Sequence, residues 1–274
     1  MSIKDGTFLN YNKDINLHKF FSRYLGININ KNIFSYKNDY KILYKMYKQI
    51  KKNKMIVFHD EKFLQNKAEK RINEIMIFLD SYPINAIDKN KNKNENLVDI
   101  GCGNGLFTHK FSKLYNFNHH TYCVETLNYL DKSVSNTIKF SITDGNKINL
   151  DSNFADFTIC FLAIHHFSSM DSMINEIVRI AKPKSYLLIY EHDCISSKLN
   201  FILDLYHIIN GLVLKPNLYE NYKKHYSNFI STYYSNYTTK EQLINQLSKN
   251  FTLLKTKEIY QGFVNNYYAL FQKK

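Results

Sequence analysis

The sequence predicts an α/β fold built on a mostly parallel sheet with helices on both faces. Three observations carry this reading. From residue 97 onward, short apolar or β-type runs alternate with segments of helical periodicity. The first run, Leu97-Val98-Asp99-Ile100, leads into a turn with glycines at 101, 103 and 105. The next two runs end in acids, Glu125 and Asp144. Such alternation marks a parallel sheet, because parallel neighbours need a crossover and the crossover helices cover the faces. At 274 residues and 44% hydrophobic content, the chain can fill a core of that size.

Each element follows in order. The glycine turn after the first strand lets backbone N–H groups approach a ligand with no Cβ in the way, and the helix behind it aims unpaired amides at the same crevice. Its spacing is neither the dinucleotide G-x-G-x-x-G nor a P-loop, which ends in Gly-Lys-Ser/Thr. Thr121 to Glu125 forms the second strand, and an acid at its end can accept both hydroxyls of a ribose. Ile138 to Ile142 leads into Thr143-Asp144-Gly145 as the third, and Phe157 to Ile164 leads into His165-His166-Phe167 as the fourth. A helical stretch from Met170 to Ala181 closes at Lys182-Pro183-Lys184, and a fifth strand, Tyr186 to Tyr190, ends in Glu191-His192-Asp193. Phe251 to Tyr260 and Tyr267 to Gln272 fit an antiparallel closing pair.

Asp99-x-Gly101-x-Gly103-x-Gly105 at the end of a first strand resembles motif I of the class I S-adenosylmethionine-dependent methyltransferases, position for position. The resemblance is close over residues 97 to 193 and extends to the rest of the chain through strand order. It implies a doubly wound, mostly parallel seven-stranded sheet with an antiparallel last strand, an N-terminal helical extension and a helical insertion between strands five and six. It implies S-adenosylmethionine as cofactor, held by Asp99, Gly101, Cys102, Gly103, Asn104 and Gly105, with Glu125 on the ribose, Asp144 and Gly145 at the adenine, and backbone groups near Ala163. Relatives commonly carry Pro-Gly-Gly before the fifth strand. Pro183-Lys184-Ser185 stands there in this chain, a change to a turn.

The expected organisation is an N-terminal helical extension and linker over residues 1–96 and a catalytic domain over 97–274. In the extension, Lys41, Lys45, Lys48 and Lys52 form one helical stripe beside Tyr40, Tyr44 and Tyr47. A second helix, Glu61 to Leu79, places Leu64, Ala68, Ile72, Ile75, Met76 and Leu79 at core spacing. The polar run from Asp88 to Asn96 reads as a solvated linker. The insertion, about 197–236, carries Asp204, His207 and Gly211 as a polar seam on an apolar helix. It also carries Tyr219, Tyr222, Tyr226, Phe229 and Tyr233 beside Lys223, Lys224 and His225. That pattern serves either base stacking with phosphate contact or ordinary amphipathic packing.

A net charge of +13 attracts polyanions, RNA among them. Only Arg23, Arg71 and Arg179 among the basic residues are arginines, and richness in Lys, Asn, Ile, Tyr and Phe is also what A/T-biased coding yields. The start of the chain lacks a secretory h-region, and no stretch reaches the ~18 apolar residues of a membrane span. Cys102, Cys123, Cys160 and Cys194 show no C-x-x-C spacing. These features predict a reduced, cytoplasmic protein without a zinc site.

Methyl transfer chiefly needs the nucleophile held in line with the methyl carbon, so positioning can carry it. If a base is used, His165 or His166 is the candidate, with Glu191 to orient it. Glu191, His192 and Asp193 have no metal-ligand spacing elsewhere, and no metal is expected. Adenine-amino, cytosine-C5 and ribose 2′-O methylation are disfavoured, because their motifs are missing after the fourth strand. A histidine and an aromatic at this place also occur in cap guanine-N7 methyltransferases. Glu191-His192-Asp193-Cys194 before an apolar helix is similar to methyltransferase-like proteins of large cytoplasmic DNA viruses and similar A/T-rich replicons. Three readings stay open: an enzyme acting on RNA, cap guanine included; a small-molecule O- or N-methyltransferase; and an inactive methyltransferase-like binding subunit. Protein partners are not legible.

Overall fold

A computed structural model describes residues 61–80, 94–117, 120–126, 128, 130–167, 169–195, 203, 236–261 and 264–274. The chain divides into two compact units, and the sheet lies in the one made of Glu61–Asp193, Thr238–Gln261 and Asn265–Lys274. The lysine stripe at 41–52, most of the linker, the Asp204–His207–Gly211 seam and the aromatic run from 218 lie outside the described residues.

The described elements run α1 (Glu61–Asp80), β1 (Leu97–Ile100), α2 (Leu106–Tyr115), β2 (Thr121–Glu125), β3 (Lys139–Ile142), β4 (Ala155–Phe161), α3 (Met170–Ile180), β5 (Ala181–His192), α4 (Lys240–Leu247), β6 (Phe251–Gln261) and β7 (Val264–Lys273). A 3-10 turn, Ile164–His166, follows β4. The sheet has seven strands in the order β3-β2-β1-β4-β5-β7-β6. β1 to β5 pair in parallel, and β7 runs antiparallel to β5. The doubly wound, seven-stranded architecture expected from the sequence is present, with its order reversing between β1 and β4.

Successive residues of a strand face opposite layers, and the central strands are apolar on both sides. Val98, Ile100, Val124, Leu187, Ile189, Ala269 and Phe271 pack with α3 and α4 through Ile174, Ile177, Ile180, Leu243 and Leu247. Leu97, Phe157, Ile159, Phe161, Leu188, Tyr190, Tyr268 and Leu270 pack with α1 and α2 through Ile75, Phe78, Leu79, Phe111 and Tyr115. In α1, Ala68, Ile75 and Leu79 are buried as their spacing predicts, and Phe78, which that spacing does not single out, stacks on Tyr268 at 5.6 Å.

Local chemistry sets the element ends. Ser169 caps α3 by accepting from Ser172 N–H, and Thr239 with Gln242 forms a capping box on α4. Arg179 in the last turn of α3 donates to the carbonyls of Ile148 and Leu150 and pairs with Glu176, tying the β3–β4 connection to the helix. β5 starts at Ala181, five residues earlier than the apolar run suggests, so residues 182–185 belong to a strand rather than a turn. The extension comes from its neighbour: Ala155 pairs with Ala181, the register shifts before Phe157, and Lys182 Nζ donates to Asp156 Oδ2 at 2.6 Å. Lys184 takes a left-handed φ of 64° within this irregular stretch. No helix among the described residues is long and apolar enough to cross a membrane.

Phe111 is fully buried and its ring lies near those of Phe107, Tyr115, Phe117 and Phe157. Phe111→Ala is expected to cost about 3–5 kcal/mol, read as a lower urea midpoint at unchanged m.

Candidate cofactor and acceptor site

The β1–α2 turn is shaped by what surrounds it. Gly101 has φ 76°, and a Cβ there would overlap the Ala163 Cβ. Gly101 N–H donates to the Val124 carbonyl at 2.9 Å, which binds the turn to β2. Gly103 has φ 58° and faces open space, with no heavy atom within 4 Å of a Cβ built on it. The two glycines therefore serve different ends, one allowing close approach between chain segments and the other leaving room above bare backbone.

Glu125 joins β2 to this turn. Its Oε1 accepts from Gly103 N–H at 3.3 Å and its Oε2 from Thr126 N–H at 3.0 Å. Asn104 Oδ1 accepts from Leu106 N–H, and its carbonyl accepts from Asp131 N–H at 2.9 Å, fixing the loop beyond β2 against the turn. Gly105 N–H closes the turn onto the Cys102 carbonyl at 3.2 Å. The Cys102 thiol lies near Cys123, which together with burial pushes its pKa far up and keeps it protonated. Thr143 N–H donates to the Glu125 carbonyl at 2.9 Å, so Asp144 and Gly145 follow directly at the carboxyl edge beside Glu125. The Asp144 carboxylate accepts from Asn146 and Lys147 N–H, both at 2.8 Å, and these bonds hold its pKa low.

Asp99 is buried in β1 and accepts from Thr108 Oγ1 at 2.5 Å. Burial raises its pKa to about 7, against the lowering effect of the Thr108 bond; Glu125 adds to the rise and Arg71 opposes it. The Asp99 carboxylate thus ties the end of β1 to α2.

After β4, the 3-10 turn separates the two histidines, since successive side chains there point about 120° apart. His165 is buried and its Nδ1 lies 2.6 Å from Glu191 Oε1. His166 is exposed, its ring centroid 4.0 Å from that of His165. Burial, then the neighbouring His166 and His192, hold His165 well below the usual histidine value, while burial raises Glu191. Both directions favour a neutral His165 at neutral pH.

The network runs further than the sequence indicates. His192 Nδ1 lies 2.6 Å from Asn266 Oδ1, and Asn266 Nδ2 donates to the Tyr190 hydroxyl at 2.9 Å. The Arg71 guanidinium lies 4.5 Å above the Tyr190 ring. Nothing in the spacing of residues 71, 190 and 266 signals this, because three separate elements bring them together. Among the described residues, His165, Glu191 and His192 also bring potential metal-ligand atoms within 4.8 Å of one another, with both Nδ1 atoms already engaged.

Residues 98–189 match the model of a family described as "Methyltransferase domain". A tRNA (carboxymethyluridine(34)-5-O)-methyltransferase of Schizosaccharomyces pombe is 30% identical over 106 residues, 39% of this chain and 40% of that protein. The chain thus spans about two fifths of the length of that curated relative. Among solved structures, a geranyl diphosphate methyltransferase in complex with S-adenosylmethionine aligns with TM-score 0.52 at 6% identity, over 78% of this chain and 87% of that one. The PH0226 protein of Pyrococcus horikoshii aligns with TM-score 0.51 at 15% identity, over 80% and 94%. The segment that carries the glycine turn thus matches a methyltransferase-domain family model, and it lies in the seven-stranded sheet described above. S-adenosylmethionine is the cofactor of that family, and the open space over Gly103 fits a ligand laid against backbone.

Gly103→Asp is expected to lower S-adenosylmethionine affinity more than about 100-fold in calorimetry. It should leave the fold in place, since its Cβ meets nothing and aspartate tolerates left-handed backbone better than most residues. Asp99 gives a pH signature of definite sign. Between its unfolded pKa near 4 and its folded value of about 7, the native state binds the extra proton, so this group makes stability fall as pH rises through that window. Asp99→Asn, which keeps a partner for Thr108, is expected to flatten that slope in urea titrations between about pH 4 and 7.

Proposed function

We propose that this chain is a cytoplasmic S-adenosylmethionine-dependent methyltransferase whose acceptor is RNA. The observation carrying the enzymatic part is the Gly103 backbone, left bare over open space and tied to the Glu125 carboxylate. In this reading Asp99 and Gly101 shape the floor, and Cys102, Gly103, Asn104 and Gly105 hold the amino-acid side of the cofactor. Glu125 takes the ribose, Asp144 and Gly145 flank the adenine, and Ala163 closes the other wall. When bound, S-adenosylmethionine supplies an electrophilic methyl group. The chain's own task is to hold the acceptor in line and remove its proton where it carries one. His166 is the exposed candidate for that proton. His165, buried and hydrogen-bonded with Glu191, positions the turn that carries His166.

RNA as acceptor is supported by the similarity to a protein named for methylating an oxygen of a tRNA uridine, and by a net charge of +13. Incubation with radiolabelled methyl donor and separate RNA, DNA, protein and metabolite pools is expected to label RNA. Label only in the metabolite pool would replace this reading with a small-molecule enzyme. A protein that fails to bind S-adenosylmethionine in calorimetry would be a binding subunit.

A further inference from the structure

Two arginines fall among the described residues, and they are used differently. Arg179 is saturated, bonded to Glu176 and to two backbone carbonyls. The Arg71 side chain makes no hydrogen bond or ion pair to any described residue, and aromatic rings lie against it. The guanidinium lies 4.5 Å from the Tyr190 centroid and 5.8 Å from that of Phe161. Those rings stand near the carboxyl ends of β5 and β4, the edge at which open α/β sheets bind ligands. Leu162, immediately after Phe161, donates its N–H to the Tyr190 carbonyl at 2.7 Å, and Ala163 follows against Gly101. Arg71 therefore stands close to the cofactor turn.

Lys67 lies one helical turn before it. The Lys67 side chain keeps access to solvent yet has protein around it, and burial, then the Arg71 charge, hold its ammonium below the usual value. Nearby on α1, Glu69 pairs with Lys110, and Lys70 faces Glu74. Glu74 also accepts from the Tyr268 hydroxyl at 3.2 Å. Among the described residues no carboxylate pairs with either of these two cations at i and i+4; such cations repel each other, and an anion set between them removes the repulsion. A guanidinium set over an aromatic ring is held there by the ring's negative face, and its N–H groups stay available to an oxyanion.

We infer that Arg71, assisted by Lys67, binds an oxyanion of the methyl acceptor at the carboxyl ends of β4 and β5. The inference rests on the methyltransferase reading and adds to it that the acceptor is anionic near the reacting atom. An RNA phosphate and a carboxylate on a modified base share this chemistry.

The test uses the full chain and two variants, Arg71→Gln and Lys67→Gln. Arg71→Gln is expected to raise KM for labelled RNA at least about tenfold, with Kd for S-adenosylmethionine within about twofold of the parent. Lys67→Gln should follow in the same direction with a smaller change. Independently of turnover, protein saturated with S-adenosylhomocysteine is titrated with inorganic phosphate and with acetate in calorimetry. The parent should bind one of them more tightly than Arg71→Gln does, and the anion preferred tells phosphate from carboxylate. Unchanged KM together with unchanged anion binding would overturn the inference. So would a tenfold loss of S-adenosylmethionine affinity in Arg71→Gln that is absent for 5′-methylthioadenosine, which assigns Arg71 to the methionine carboxylate instead. If the parent itself labels no pool, the methyltransferase reading fails, while the anion titration still decides the role of Arg71.

Discussion

Ala163 lies so close to Gly101 that the first glycine of the turn has no room for a side chain, and its left-handed backbone suits none. That approach brings the end of β4 against the end of β1 at the place where the sheet order reverses. Glu125 then ties the next glycine to β2 through the Gly103 N–H. Three strands are gathered at one point by two glycines and a carboxylate, and the remaining site residues take their positions from the ends of those strands. Asp144 follows because Thr143 pairs with Glu125, and the histidines follow because their 3-10 turn starts right after Ala163.

The two faces of the sheet contribute unequally to the site. The face under α3 and α4 is closed by aliphatic packing, with Leu243 and Leu247 in the same cluster as Ile177 and Ile180. The face under α1 and α2 is aromatic, and there Tyr190 and Tyr268 stack at 4.5 Å beneath the Arg71 guanidinium. Burial pushes both hydroxyls above their ordinary pKa while the Arg71 charge opposes the shift, so they remain neutral hydrogen-bonding groups. Aromatic bulk thus supports a cation at the working edge of the sheet.

Much of the architecture was legible because the strands are buried on both sides and read as apolar runs, and because the glycine turn tolerates few alternatives. Thr121–Glu125 matches its run residue for residue, whereas β5 is longer than its run. Ala181 to Ser185 carry little strand signal of their own and are held by Ala155 and Asp156 opposite. His165 and His166 look equivalent in the sequence, and only the turn that holds them makes one buried and the other exposed. Arg71 and Asn266 could not be found by spacing, since their meaning lies in Tyr190 and His192, which the chain supplies from other elements.

Asn266 comes late in the chain. It sits 74 residues beyond His192, on the antiparallel strand that joins the sheet last in chain order, yet it holds both His192 and Tyr190. During synthesis the glycine turn, Glu125 and the histidine turn leave the ribosome before the residue that braces these two groups. The glycine turn and its neighbours are thus complete in the chain well before the residue that braces the floor beneath Arg71.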